Sequence, residues 1–445
     1  MHAVASYGLA AALPFLGLLL TIAAAPLLFR HHWERHYWLF ATGWSLAFLV
    51  PDIAAHGAAA AAAQLVAVAI EDYLPFVLLV GTLYVVTGGL RISGTLRGTP
   101  AVNTALLAFG TLIASVVGTP GASLILLRPL IRANRHRRQA THVIVFFIFL
   151  VGNVGGSLSP LGDPPLLLGY LRGVPFFWPT LHLAVPTLLI AAGLLATFYA
   201  LDRYLRRRGG DAEPGAGAAV VRLRLSGRVN LLLLAAVIGT MLLRVFWTSD
   251  AAIDAAGTPW RIVDMVVDAV LLICGGLSLR LTRPETRQAN DFAWAPIVEV
   301  AVLFAAIFVT LIPLLAMLAL GRDGPLGPLL ARVIVGGVPD NALFFRASGL
   351  LSAFLDNAPT YLVFFGIAGG DAARLAGPQA ATLAAISMGA CYFGGFTYIG
   401  NAPNLMVKAI AESHGIRMPG FFGYIGWAMI CLLPWLLLAE ALVLH

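Results

Sequence analysis

Long apolar runs separated by short polar segments recur along the whole chain. They predict spans near 8–29, 37–55, 73–90, 102–131, 141–171, 180–201, 229–247, 262–281, 297–320, 341–369, 379–411 and 420–443. A helix needs ~20 apolar residues to cross a bilayer. Four of the runs cannot be single helices. The run 102–131 is interrupted by Val117-Gly118-Thr119-Pro120-Gly121, and 341–369 by Leu355-Asp356-Asn357-Ala358-Pro359. The run 141–171 breaks at Gly152-Asn153 and again from Gly155 to Pro165, and 379–411 breaks from Gly394 to Asn404. Glycine and proline at this density stop a helix and free backbone polar groups. At membrane depth such backbone persists only where protein or a water-lined cavity satisfies it.

The breaks come in matching pairs. Setting the second break of each pair in register places Gly156 on Gly394, Ser159 on Thr397, Gly162 on Gly400, Asp163 on Asn401 and Pro165 on Pro403. This register predicts an internal duplication of about 240 residues. The first half, 1–201, then carries hairpin 102–131 and broken helix 141–171. A linker, 202–228, leads to the second half, 229–445, with hairpin 341–369 and broken helix 379–411. Basic residues set the orientation. With segments 30–36, 91–99, 132–139, 202–228, 280–291 and Arg417 on the cytoplasmic side, 19 of the 28 Lys and Arg lie inside, the bias expected of a membrane protein. Both ends of 102–131 then face the cytoplasm and both ends of 341–369 face outside. The expected fold is an all-α polytopic membrane protein, an inverted repeat with two re-entrant hairpins and two discontinuous helices, in the bacterial inner membrane with linker 202–228 cytoplasmic.

Composition narrows the function. The chain of 445 residues is 60% hydrophobic and 11% charged, where a soluble domain carries about 25% charged residues. Its net charge of +7 sits in short loops, so it reports topology and not a nucleic-acid partner. The stretch from Gly8 to Phe29 lacks a basic leader and is long for a signal peptide, which predicts a retained helix. Cys274, Cys391 and Cys431 lie singly in apolar runs, without metal-site or disulfide spacing. No P-loop, HExxH, CxxC or GxSxG occurs, so neither enzyme chemistry nor a cofactor is expected.

An inverted repeat with broken helices places its transport site near the midplane, between half-helix ends. The polar residues at the breaks are therefore the candidate ion ligands: Asp163, Asp356, Asn357, Asn153, Asn401, Asn404, Ser157, Ser159, Thr119 and Thr397, with Ser123 nearby. Oxygen-only donors suit hard cations. A membrane-buried carboxylate is costly and usually functional, and it can also take a proton. Asp163 and Asp356 are thus expected to bind a transported cation or H+ in turn; both also stand where an aspartate caps a helix. Lys408, the one lysine, is either a counter-charge to these aspartates or a partner of Glu412 at the interface. Arg128 and Arg346 are expected to snorkel to the interface. Glu299, Asp264 and Asp268 belong to a proton path or to the scaffold, and Glu71-Asp72 is expected to be solvated at the outer end of a span.

The runs Arg128-Pro129-Leu130-Ile131-Arg132-Ala133-Asn134, Ser159-Pro160-Leu161-Gly162-Asp163-Pro164-Pro165-Leu166 and Gly400-Asn401-Ala402-Pro403-Asn404 resemble the ion transporter superfamily. The likeness is greatest to NhaD-like sodium/proton antiporters and to the CitMHS-like group of citrate transporters. The resemblance implies a homodimer in which a scaffold holds a moving transport part, an elevator mechanism. It leaves Na+ (or Li+)/H+ antiport, carriage of a citrate-like organic anion and arsenite efflux as cargo classes. Carboxylate carriers of the superfamily have Ser-Asn-Thr-type hairpin tips. Here the tips read Gly118-Thr119-Pro120 and Asp356-Asn357-Ala358-Pro359. An aspartate there repels an anion unless it is neutralised, which favours Na+ and H+ as the transported partners.

Overall fold

The structure, a computed structural model, describes residues 7–94, 96–209, 224–247, 249, 251–335 and 338–444. Among these, ten helices are long and apolar enough to cross a membrane. The chain is an all-α multi-pass membrane protein. The opening helices are α1 (Leu9–Leu28), α2 (His31–His56) and α3 (Ala58–Gly88). Helices α4 (Pro100–Val117) and α5 (Thr119–Ala133) form a hairpin whose tip turns at Gly118. The next span is discontinuous: α6 (Thr141–Leu150), a 3₁₀ turn at Val154–Leu158, then α7 (Pro164–Leu171). Helix α8 (Trp178–Gly209) follows.

The second half begins with α9 (Val229–Phe246), α10 (Ile262–Leu281) and α11 (Ala295–Ala319). It then presents the same succession again: hairpin α12 (Asn341–Phe354) and α13 (Asn357–Ile367), then α14 (Ala380–Phe393), a 3₁₀ turn at Gly394–Phe396 and α15 (Ala402–Ser413). Helix α16 (Phe421–Val443) completes it. Of the linker expected at 202–228, residues up to Gly209 continue α8, and Arg224–Ser226 pairs antiparallel with Arg91–Ser93. Residues 210–223 lie outside the described residues.

The helices sort into two groups by packing. Helices α1, α2, α3, α9, α10 and α11 pack on one another, and α4–α8 pack with α12–α16. The groups meet where α3 touches α5 and α7, and where α11 touches α13. In the second group, α13 of the later hairpin packs on α7, while α5 of the earlier hairpin packs on α15. Helix α6 is apolar all round, and every residue in it from His142 to Leu150 is buried, as expected of a helix enclosed by others. Lipid-facing helices instead leave large apolar residues such as Leu232, Leu272 and Ile430 exposed.

Several expected boundaries move. Helix α2 begins six residues before the apolar run 37–55, and α3 extends the run 73–90 back to Ala58. Hydropathy marks only the apolar part of a helix, whereas alanine-rich segments such as 58–63 stay helical outside it. A π-helical bulge at Ala69–Tyr73 turns Asp72 inward. Arg172 binds both of its carboxylate oxygens, at 3.0 and 2.8 Å. Asp72 is therefore buried and paired, not solvated.

Candidate functional site

The site is built by two loops that the chain must stabilise without regular helix bonds. In the first, the Ser159 hydroxyl donates to the Ser115 carbonyl and accepts from Leu161 N–H at 3.1 Å. In the second, Thr397 Oγ1 donates to the Ala353 carbonyl at 2.5 Å and accepts from Ile399 N–H at 3.2 Å. Each of the three residues in the first loop lies 238 positions before its counterpart in the second. Glycine closes both loops. A Cβ on Gly162 would lie 2.0 Å from the Gly156 carbonyl oxygen, and one on Gly400 2.8 Å from that of Gly394.

Asp163 opens α7 but makes no capping bond of its own. Its side chain points to the loop of the other half. Asn357 Nδ2 donates to Oδ2 at 3.0 Å, and Asn401 Nδ2 donates to Oδ1 at 3.3 Å. Asn401 also donates to Asn153 Oδ1 and the Gly152 carbonyl, both at 3.1 Å. Asn153 Nδ2 in turn donates to Asn404 Oδ1 at 3.0 Å, while Asn404 Nδ2 holds the carbonyls of Gly394 and Thr397 at 2.7 and 2.9 Å. Asp163, Asn153, Asn357, Asn401 and Asn404 thus form one buried network that joins both broken helices and the tip of α13.

Two oxygens in or beside it lack protein partners. Thr119 Oγ1 and Asn357 Oδ1 are buried and without a hydrogen bond among the described residues. These residues occupy the two hairpin tips, again 238 positions apart. Leaving a buried acceptor unpaired costs about 1–3 kcal/mol, so these oxygens are suited to a ligand. Asp356, partly buried at its tip, accepts from Ala358 N–H at 3.0 Å and caps α13. It is close enough to act electrostatically on Asp163. A cavity of about 30 Å³ reaches Asp163 between α3 and the first hairpin tip. Leu79, Leu83, Gly118, Pro120 and Leu161 line it, and Asp163 is its one charged wall.

Other expected residues lie elsewhere. Ser159 and Thr397 are staples of their loops, as above. Ser157 faces Thr187 at 2.9 Å, and Thr187 continues to the Tyr392 hydroxyl at 2.8 Å. Ser123 bonds the Thr119 carbonyl within its own helix. Lys408 pairs as the second of its two expected readings has it. It stands 3.8 Å from Glu412 and over the Tyr398 ring. Arg128 does not snorkel: it is 5% exposed and binds Asp291 through Nε and Nη2. Arg346, 64% exposed at its side chain, pairs with buried Glu440 at 2.8 Å. Glu299 accepts from Trp33 Nε1 at 2.8 Å, and Asp264 binds Arg244 and Arg261, all within the other group of helices.

Sequence reasoning passed over two residues. Ser115 receives the Ser159 bond and itself donates to the Gly155 carbonyl at 2.6 Å. The Cys391 thiol lies against the Asp163 carboxylate. Its signal was present in the register, since Cys391 falls 238 positions after Asn153. A lone cysteine in an apolar run carries no other mark.

A CitMHS-type family model described as putative citrate transport matches residues 4–444. No curated protein matches the chain.

Proposed function

The chain belongs to this family of transporters over nearly its whole length, and on that premise we propose that it moves a citrate-type carboxylate across the membrane, coupled to Na+ or H+. Asp163 and Asp356 are the carboxylates that take the coupling cation. The observation that carries this reading is the buried Asp163, approached by neutral amides and flanked by the orphaned oxygens of Thr119 and Asn357. Carboxylate, amide and hydroxyl oxygens are the donors that hard cations prefer. No lysine or arginine touches either aspartate among the described residues.

Coupling follows from charge. A polycarboxylate cannot approach two ionised aspartates across a low-dielectric gap. Once Na+ or H+ neutralises them, the N-termini of α5, α13 and α15 offer partial positive charge to the anion. Cation and cargo then load together.

The paired loop staples and the constant 238-residue register support an inverted repeat, with 1–201 and 229–445 as its halves and the linker on the cytoplasmic side. The two helix groups fit a scaffold (α1–α3, α9–α11) and a moving part (α4–α8, α12–α16), the elevator arrangement. The likeness to the ion transporter superfamily extends the reading to a homodimer.

The second reading is Na+/H+ antiport without an organic anion, favoured by the same lack of basic residues at the site. Proton flux in proteoliposomes under an imposed sodium gradient separates the two. Flux that requires citrate and disappears in Asp163→Asn supports carboxylate transport. Sodium-driven proton movement without citrate selects antiport. A protein silent to both gradients overturns both readings.

A further inference from the structure

We infer that Arg91, Arg128 and Arg132 form a binding site for an oxyanion, a phosphate- or carboxylate-bearing group with at least two acceptor oxygens. Arg128 and Arg132 stand one turn apart on α5. Arg91 opens the short strand that follows α3 and pairs with Ser226. Both Arg91 and Arg128 are near enough to repel the charge on Arg132. Arg132 Nη2 reaches the carbonyl of Ile92, the residue after Arg91, so arginines from two different parts of the fold are brought together.

Their donors are not used up. Arg128 gives Nε and Nη2 to Asp291 Oδ2 at 3.1 and 2.8 Å, and Arg132 gives Nη2 to the Ile92 carbonyl at 2.8 Å. Arg128 Nη1 and Arg91 Nε remain buried without a partner among the described residues, although Arg128 is only 5% exposed. Asp291 closes one edge only. Its backbone sits at φ +44° and its side chain is 70% exposed. One carboxylate facing three arginines leaves an excess of positive charge, and unpaired guanidinium donors from two arginines suit the acceptor oxygens of an oxyanion.

The site also spans the boundary between the two helix groups. Arg128 and Arg132 ride on the first hairpin, whereas Arg91 and Asp291 flank α3 and α11. An anion held by all three arginines ties the hairpin to its neighbour and favours the present arrangement. This last consequence rests on the elevator reading above; the binding itself does not.

The ligand chemistry has two sources, the phosphate of an anionic lipid headgroup or a soluble anion. Thermal unfolding of the full-length protein in detergent tests both, with ionic strength held constant. Inorganic phosphate is titrated in one arm, and phosphatidylglycerol against phosphatidylcholine in the other. A saturable rise in Tm is expected in at least one arm, and the active arm identifies the source. The apparent Kd should weaken about tenfold in Arg91→Gln, as for loss of one charge-assisted bond, and stay unchanged in Arg203→Gln. Arg91→Lys keeps the charge but loses the fork, and should weaken binding about threefold; it serves as the reading should Arg91→Gln fail to fold. No saturable rise in either arm, or equal Kd in wild type and Arg91 variants, overturns the proposal. Because Tm does not depend on transport, failure of the transport reading leaves this result readable.

Discussion

At the scale of single residues, the two aspartates differ in what else they do. Asp163 makes no capping bond, so Asp163→Asn removes charge without removing a helix cap. Losing a charged ligand of a buried site costs several kcal/mol, and coupled flux should fall ~100-fold or more, which corresponds to about 2.7 kcal/mol. Flux retained in this variant would remove Asp163 from the mechanism. Asp356 also caps α13 through Ala358 N–H. Asparagine caps a helix about as well as aspartate, so Asp356→Asn should leave Tm nearly unchanged while weakening cation dependence. Asp356→Ala should lose both, with a stability cost of about 1 kcal/mol. If the two variants transport equally and differ only in Tm, Asp356 is a cap and nothing more.

At the scale of elements, the broken helices depend on backbone contacts that leave no room to adapt. Gly162→Ala sets a Cβ 2.0 Å from a carbonyl oxygen, whereas Gly400→Ala meets the Ser352 carbonyl oxygen at 2.7 Å. Carbonyls cannot swing aside as a flexible side-chain tip can. Gly162→Ala should therefore lower Tm more than Gly400→Ala, with an assay of folded yield as the check. Removing a hydroxyl staple acts differently. Thr397→Ala strands the Ala353 carbonyl and the Ile399 amide, and should cost about 1–3 kcal/mol. Ser159→Ala should cost less, because Ser159 makes the matching two bonds in the first loop while Thr397 also accepts from Gly400 N–H at 3.2 Å. A larger cost for Ser159→Ala would argue against equivalent roles for the two loops.

At the scale of the whole molecule, the boundary between helix groups carries an ion pair that the proposed elevator movement would have to break. Arg172 at the end of α7 grips Asp72 of α3 with two bonds. Its side chain is 34% exposed, so the pair contributes only about 1 kcal/mol. Asp72→Asn should shift the balance of transport states about fivefold, read from cysteine cross-linking between α3 and α7. The exchange of both charges, Asp72→Arg with Arg172→Asp, should restore it. Cross-linking unchanged in Asp72→Asn would mean that the two groups do not part at this contact.

Much of this protein was determined by its sequence alone. Apolar runs of membrane length, paired breaks and their common register follow from local rules, since a bilayer leaves glycine- and proline-rich backbone few places to go. The hairpin tips at Gly118 and Asp356 and the candidate role of Asp163 came from the same signals. What only the tertiary structure decided was partnership. Asn357, Asn401 and the Cys391 thiol approach Asp163 from positions 194 to 238 residues away along the chain. Lys408 turned to Glu412, Arg128 to Asp291 and Asp72 to Arg172. Periodicity and composition describe which residues must be buried. Which buried polar group meets which depends on how distant helices cross, and no local pattern encodes that.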